Sequence, residues 1–345
     1  MGRPPRVTAS TTRDAAASSK RPHPSPEPVD PSTGSGNDQP RQERGARTDR
    51  KATRPRPRTT WTRRVFVAPA VLSLVVLGGY PLVFIALAAF TESSLGRPFQ
   101  EFVGAATFES VLADGDATAS LLRGVVYALL VAVVSVALGV ATAVALWRSV
   151  RAGAVVRTLL LLPMITPPVV VGVLWKLVFT PSGGLVDTVL GAVIPGGATF
   201  SVLSHPVFAF LGVALADVWE WTPLIVLLVF AALIGQDAAI TEAASLDGAH
   251  GFRLFRSITL PAIAGTVAAA FLIRLVLAFK VFDLVYVMTS GGPGQATTLP
   301  AYVIWQAALQ QFDVGRAAAV TLLLAVVVTL VTLPVVAVTR RLHND

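Results

Sequence analysis

Six stretches of mostly apolar residues, each long enough to cross a bilayer, dictate what this chain can fold into: 65–90, 121–147, 155–179, 207–234, 262–288 and 315–339. A helix rises about 1.5 Å per residue and the hydrocarbon core is about 30 Å thick, so roughly 20 apolar residues complete one crossing. The runs are continuous rather than alternating, which argues against a transmembrane barrel. The expected fold class is all-α integral membrane, with about six transmembrane helices. Composition agrees: 53% of residues are hydrophobic and 14% charged, with a mean hydropathy of +0.66, too apolar for a water-facing surface. No cysteine is present, so disulfides, thiolate metal sites and cysteine nucleophiles are excluded.

The net charge of +8 suggests nucleic acid until it is divided along the chain. Residues 1–64 hold fifteen Lys/Arg and six Asp/Glu, whereas the remainder holds thirteen and fourteen. Residues 1–60 are rich in Pro, Ser, Thr, Gly and Arg and lack any apolar run, so they read as a disordered basic cytoplasmic tail ahead of a transmembrane domain at 61–345. The tail has no aromatic residue to stack on bases, which leaves no nucleic-acid role. The first apolar stretch has no small-residue cleavage pattern and reads as a retained anchor.

Loop charges orient the spans. Arg54, Arg56, Arg58, Arg63 and Arg64, then Arg148, Arg151, Arg157, Arg253, Arg256, Arg340 and Arg341, all fall on one side, the expected cytoplasmic side. The opposite loops, 91–120, 180–206 and 289–314, carry seven acidic residues against Arg97 alone. Both termini are therefore expected inside, in a multi-pass protein of the cytoplasmic (inner) membrane. Pro163, Pro167 and Pro168 fall within the third span, which is expected to kink; Pro81, Pro223 and Pro334 are expected to bend their helices more mildly.

Between the fourth and fifth spans, 237–261 is too polar to cross a membrane. Asp237 is placed to cap a short helix ending at Leu246, and Gly248 to supply the positive φ that stops it. Phe252, Phe255 and Ile258 then recur at helical spacing, predicting a second short amphipathic helix with Arg253 and Arg256 on other faces.

The motif Glu242-Ala243-Ala244, with Asp247-Gly248-Ala249, Phe255, Ile258 and Leu260-Pro261, resembles the EAA loop of ABC-importer permeases. Two further regions resemble the sugar branch of that family: 162–185, from Leu162-Pro163 through Trp175-Lys176 to Gly183-Gly184-Leu185, and Phe282-Asp283 followed by Gly291-Gly292-Pro293-Gly294. Asp237 stands where sugar-type relatives usually carry Pro, and Asp187 where they often have Asn. The resemblance implies a coupling helix that docks on a cytoplasmic ATPase dimer, with Glu242 meeting a basic residue of that partner, Ala243 and Ala244 permitting close approach, and Gly248 forming the turn. It also implies a second homologous permease and an extracytoplasmic sugar-binding protein as partners, the Gly-Gly-Pro segment matching the first of the two permeases.

Ionisable residues inside apolar spans cost at least about 2.5–3.5 kcal/mol each unless paired or wet. Asp217 and Glu220 fall mid-way along the fourth run, Arg274 and Lys280 in the fifth, and Lys280 and Asp283 have the spacing to pair on one helix face. Two readings are open: these groups, with Trp219 and Trp221, border a sugar path, or they form internal salt bridges beside interfacial tryptophans. Ion coupling without an ATPase is the alternative mechanism that buried charge alone allows. The chain contains no Gly-x-x-x-x-Gly-Lys-[Ser/Thr] phosphate loop, and His23, His205, His250 and His343 are scattered. No cofactor, metal site or catalytic residue is expected; energy has to come from another subunit.

Overall fold

The computed structural model describes residues 60–149, 154–193 and 201–344. The tail at 1–59 and Arg151 lie outside the described residues, and with them the expectation of a disordered basic segment. Among the described residues the regular structure is helical, with only isolated bridges such as Thr91 to Phe102 and no strand. Five helical rods are long and apolar enough to cross a membrane, and six if one bent pair counts as a span.

The first rod, Arg64–Ala89, comprises α1 (Thr60–Leu74), a π-helical turn and α2 (Tyr80–Ala89). Its α1 portion leaves Phe66 and Leu72 exposed, and α2 packs on the last helix. After α3 (Ala106–Ala113), the Asp114 carboxylate accepts the Asp116 N–H at 2.9 Å and caps α4 (Gly115–Arg148). At 34 residues α4 is about 50 Å long, well beyond the hydrocarbon thickness. It pairs with α8 (Pro206–Ile234), which follows α7 (Leu185–Val193).

Lipid tails are as apolar as leucine, so close packing has to hold such helices together. Small residues are buried on both helices accordingly, Ala128, Ala132, Gly139 and Ala143 on α4 and Ala209 and Ala216 on α8, while Gly212 of α8 lies against Phe179, Val202 and Leu203. A Cβ on Gly139 would lie 2.6 Å from the Ile225 side chain, so a hydrogen is all that this contact admits.

The third apolar run is not one kinked helix. It forms α5 (Ala154–Ile165) and α6 (Pro168–Val178), bent by 101° at Thr166-Pro167. Successive prolines remove two N–H donors and push the preceding residues out of the helical region, so the chain turns rather than bends. The Thr166 hydroxyl donates to the Leu162 carbonyl at 2.9 Å, satisfying one acceptor at the break.

The fifth run differs at both ends. Beyond α9 (Ala238–Leu246), the chain enters α10 (Gly251–Leu254), which passes through a π-helical turn at Phe255–Thr259 into α11 (Leu260–Ala278). The segment expected to be a second separate amphipathic helix is thus the first part of a 28-residue rod, Gly251–Ala278. Pro261 directly follows the π-helical turn inside this rod, where the regular hydrogen-bond ladder is already interrupted. At its other end the rod stops ten residues before Met288, and after a break the chain resumes as α12 (Asp283–Met288). No proline or glycine marks this break. Phe282 instead joins an aromatic cluster, with ring centroids 5.5 Å from Tyr286 and 5.6 Å from Trp305. Lys280 therefore lies in the break and Asp283 on α12, so the two do not share a helix face as their spacing suggested. Trp305 closes α13 (Pro300–Trp305), and α14 (Val314–Asn344) completes the fold.

Candidate functional site

The polar residues of the fourth and fifth spans meet in the middle of the helix bundle. Asp217 on α8 and Arg274 on α11 form an ion pair at 2.7 Å, with both side chains fully buried. Arg274 Nε donates to Ser135 Oγ at 3.1 Å, and the Tyr127 hydroxyl donates to Asp217 Oδ2 at 3.1 Å, so the cluster ties α4, α8 and α11 together. Tyr127 and Ser135 were not singled out from sequence. Their eight-residue spacing, two helical turns on one face of an apolar span, is the signal that could have found them.

One turn along α8, Glu220 is 3% exposed. Glu220 Oε2, Asp217 Oδ1 and Arg274 Nη1 are buried and have no protein hydrogen-bond partner. A cavity of about 110 Å³ adjoins them, bordered by Asp217, Glu220, Trp221, Lys280, Asp283 and Pro168. It lies where the α5–α6 break and the α11–α12 break both approach the acids of α8. Broken helices inside a membrane are tolerated where backbone lines a cavity or is buried in protein.

Of the six residues expected on a substrate path, Glu220, Trp221, Lys280 and Asp283 border this cavity. Arg274 sits behind it, committed to Asp217. Trp219 points elsewhere, its ring 6.0 Å from Trp175 and its edge on an apolar groove of about 500 Å³ beside Leu159, Pro163 and Pro223. Two residues along a helix are about 200° apart around its axis, which separates Trp219 from Trp221.

The second feature lies beyond the C-terminal end of α8. The Asp237 carboxylate accepts the Ala239 N–H at 2.9 Å and opens α9 as its sequence predicts. Gly248 has φ +82, and the Gly248 and Ala249 N–H groups donate to Ser245 and Ala244 carbonyls at 3.1 and 3.0 Å, closing the helix. Glu242, Ala243, Asp247 and Gly248 are exposed, Ala249 is half-buried and Ala244 is buried. The large apolar side chains do not cover themselves: Leu246 is 88% exposed, Phe252 73% and Ile240 58%. Two polar ties anchor the region to the spans, Arg148 Nη2 to the Gly251 carbonyl at 3.1 Å and Gln236 Nε2 to the Thr259 carbonyl at 3.4 Å. The helix is thus capped at both ends and carries exposed apolar side chains.

Similarity to known proteins covers both features. Residues 135–344 match the family described as binding-protein-dependent transport system inner membrane component. The probable ABC transporter permease protein y4oQ of Sinorhizobium fredii is 31% identical over 273 residues, 79% of this chain and 87% of that protein. The trehalose/maltose transport system permease protein MalF of Thermococcus litoralis is 34% identical over 58% of this chain and 68% of its own length. The sn-glycerol-3-phosphate transport system permease protein UgpA of Agrobacterium fabrum is 30% identical over 78% and 91%. A chain of the bacterial alginate ABC transporter, solved with an alginate pentasaccharide-bound periplasmic protein, superposes with a TM-score of 0.69 at 21% identity, covering 81% of this chain and 94% of its own, and so shares the fold.

Proposed function

This chain belongs to the family of binding-protein-dependent transport system inner membrane components, and from that premise we propose that it is a permease subunit of an ATP-driven importer that carries a sugar delivered by an extracytoplasmic binding protein. Relatives named for trehalose/maltose and for glycerol phosphate support a small polyhydroxylated cargo. In this reading a second, homologous permease supplies the other half of the path, and two ATPase copies dock beneath. In the same reading α9 and both termini are cytoplasmic, which the basic residues near span ends support.

The observation that carries the coupling role is α9 itself. It is held at both ends by local capping, yet offers Leu246 and Ile240 to solvent beside the exposed carboxylate of Glu242. Docking on an ATPase would bury those apolar groups and pair that charge. Because Arg148 and Gln236 tie the region to the ends of α4 and α11, a displacement of α9 is passed to the spans. The spans carry the polar cavity at Glu220, Trp221, Lys280 and Asp283, which is the proposed portion of the translocation path.

The test is co-purification in mild detergent from the native membrane. Wild-type chain is expected to bring down an ATPase and a second permease. Gly248→Pro, which cannot adopt φ +82, is expected to lose the ATPase while keeping the permease. Transport by a chain that purifies alone would instead favour ion coupling.

A further inference from the structure

We propose that the cavity at Glu220 and Asp283 receives one edge of an uncharged, hydroxyl-rich cargo and discriminates against the phosphorylated form of the same molecule. This rests on reading that cavity as part of the translocation path. It goes further by choosing between cargo classes that the relatives' names leave mixed.

Hydrogen-bond direction makes the first distinction. Asp217 Oδ1 and Glu220 Oε2 are buried oxygens with no protein donor, and both residues border the cavity. The Asp217 carboxylate is paired with the Arg274 guanidinium and only accepts, so whatever satisfies its free oxygen has to donate. A saccharide hydroxyl does so and can accept from the Lys280 ammonium with the same oxygen. A phosphate monoester carries about −1.5 to −2 charges at neutral pH and presents acceptor oxygens, so it would set acceptor against acceptor.

Charge makes the second. Three carboxyl groups, those of Asp217, Glu220 and Asp283, border the cavity against one ammonium, Lys280, while the Arg274 guanidinium behind it is engaged by Asp217. Phosphate sites normally use guanidinium forks or the free N–H groups of a helix N-terminus. Of the two helix N-termini at this cavity, that of α6 begins Pro167-Pro168 and lacks two of those donors, and that of α12 opens with the Asp283 carboxylate, which competes with an anion for the donors there. The Trp221 side chain supplies apolar surface against which a sugar ring can lie. A volume of about 110 Å³ is far below the roughly 300 Å³ at which pockets for whole drug-sized ligands begin, so the subsite holds vicinal hydroxyls or a hydroxymethyl group rather than a complete sugar.

The experiment uses the chain with its co-purifying subunits in lipid nanodiscs, without a binding protein. Tryptophan fluorescence is titrated with matched pairs, trehalose against trehalose 6-phosphate and glucose against glucose 6-phosphate. At least one neutral sugar is expected to give a change that is absent in Trp221→Phe, with its phosphate at least tenfold weaker. Glu220→Gln with Asp283→Asn is expected to reduce that ratio to threefold or less. Equal or tighter binding of the phosphate, a ratio unmoved in the double variant, or no Trp221-dependent signal from any sugar would each overturn the proposal. Failure of the importer reading would appear separately, as loss of the ATPase from the wild-type complex.

Discussion

Arg274 Nη2 lies 2.7 Å from Asp217 Oδ2, and neither side chain has exposed surface. Removing a charge from water is costly, and mutual attraction offsets that cost only while both partners remain. Asp217→Ala is therefore expected to destabilise the protein by about 3–5 kcal/mol, because it strands the Arg274 guanidinium. Asp217→Leu combined with Arg274→Met should recover most of that loss. Thermal unfolding in detergent measures both. A double variant no better than the single would show that the pair is not coupled.

Gly139 faces Ile225 across the α4–α8 seam, where a Cβ would approach to 2.6 Å. Gly139→Val is expected to force the helices apart at a cost of about 1–3 kcal/mol. Ile225→Ala should relieve part of that cost in the Gly139→Val background, although alone it leaves a cavity. A midpoint shift in the same thermal assay, with partial rescue in the double variant, is the expected pattern.

Asp237 caps α9 through one bond to the Ala239 N–H. Asp237→Ala is expected to cost about 1 kcal/mol of local helix stability and speed hydrogen exchange across 238–246, with little change in the spans. Leu246→Asp, at an 88% exposed position, should leave exchange and thermal stability unchanged yet reduce ATPase co-purification at least fivefold. Retention of the ATPase in Leu246→Asp would remove this face from the proposed dock.

Asp114, at the other end of α4, ion-pairs with Arg316 and caps the helix through the Asp116 N–H. Partial burial raises its carboxyl value, but the Asp116 N–H bond and the Arg316 guanidinium outweigh it and hold the group below its ordinary 3.8. A carboxylate with a lowered folded value contributes stability above its unfolded value and loses it as pH falls through the folded one. The stability difference between wild type and Asp114→Asn is thus expected to be constant above about pH 5 and to shrink below about pH 4. A difference that widened on acidification would reverse the sign of this linkage.

The sequence by itself determined what depends on neighbours along the chain. Hydrophobic runs of bilayer length have one solution, so the helices from Arg64, Gly115, Pro206 and Val314 could be read directly, and Asp237 and Gly248 mark α9 because caps and positive φ are local properties. The three prolines announced a distortion, but not a bend of 101°, since its size depends on what α6 packs against. Only the tertiary structure decided the rest. The break at Phe279–Phe282 has no helix-breaking residue and arises where Phe282 joins Tyr286, Tyr302 and Trp305. Tyr127, Ser135, Asp217 and Arg274 are scattered over nearly 150 residues and become one cluster only when three helices pack. Periodicity records which residues face inward; it carries no information about which inward faces meet.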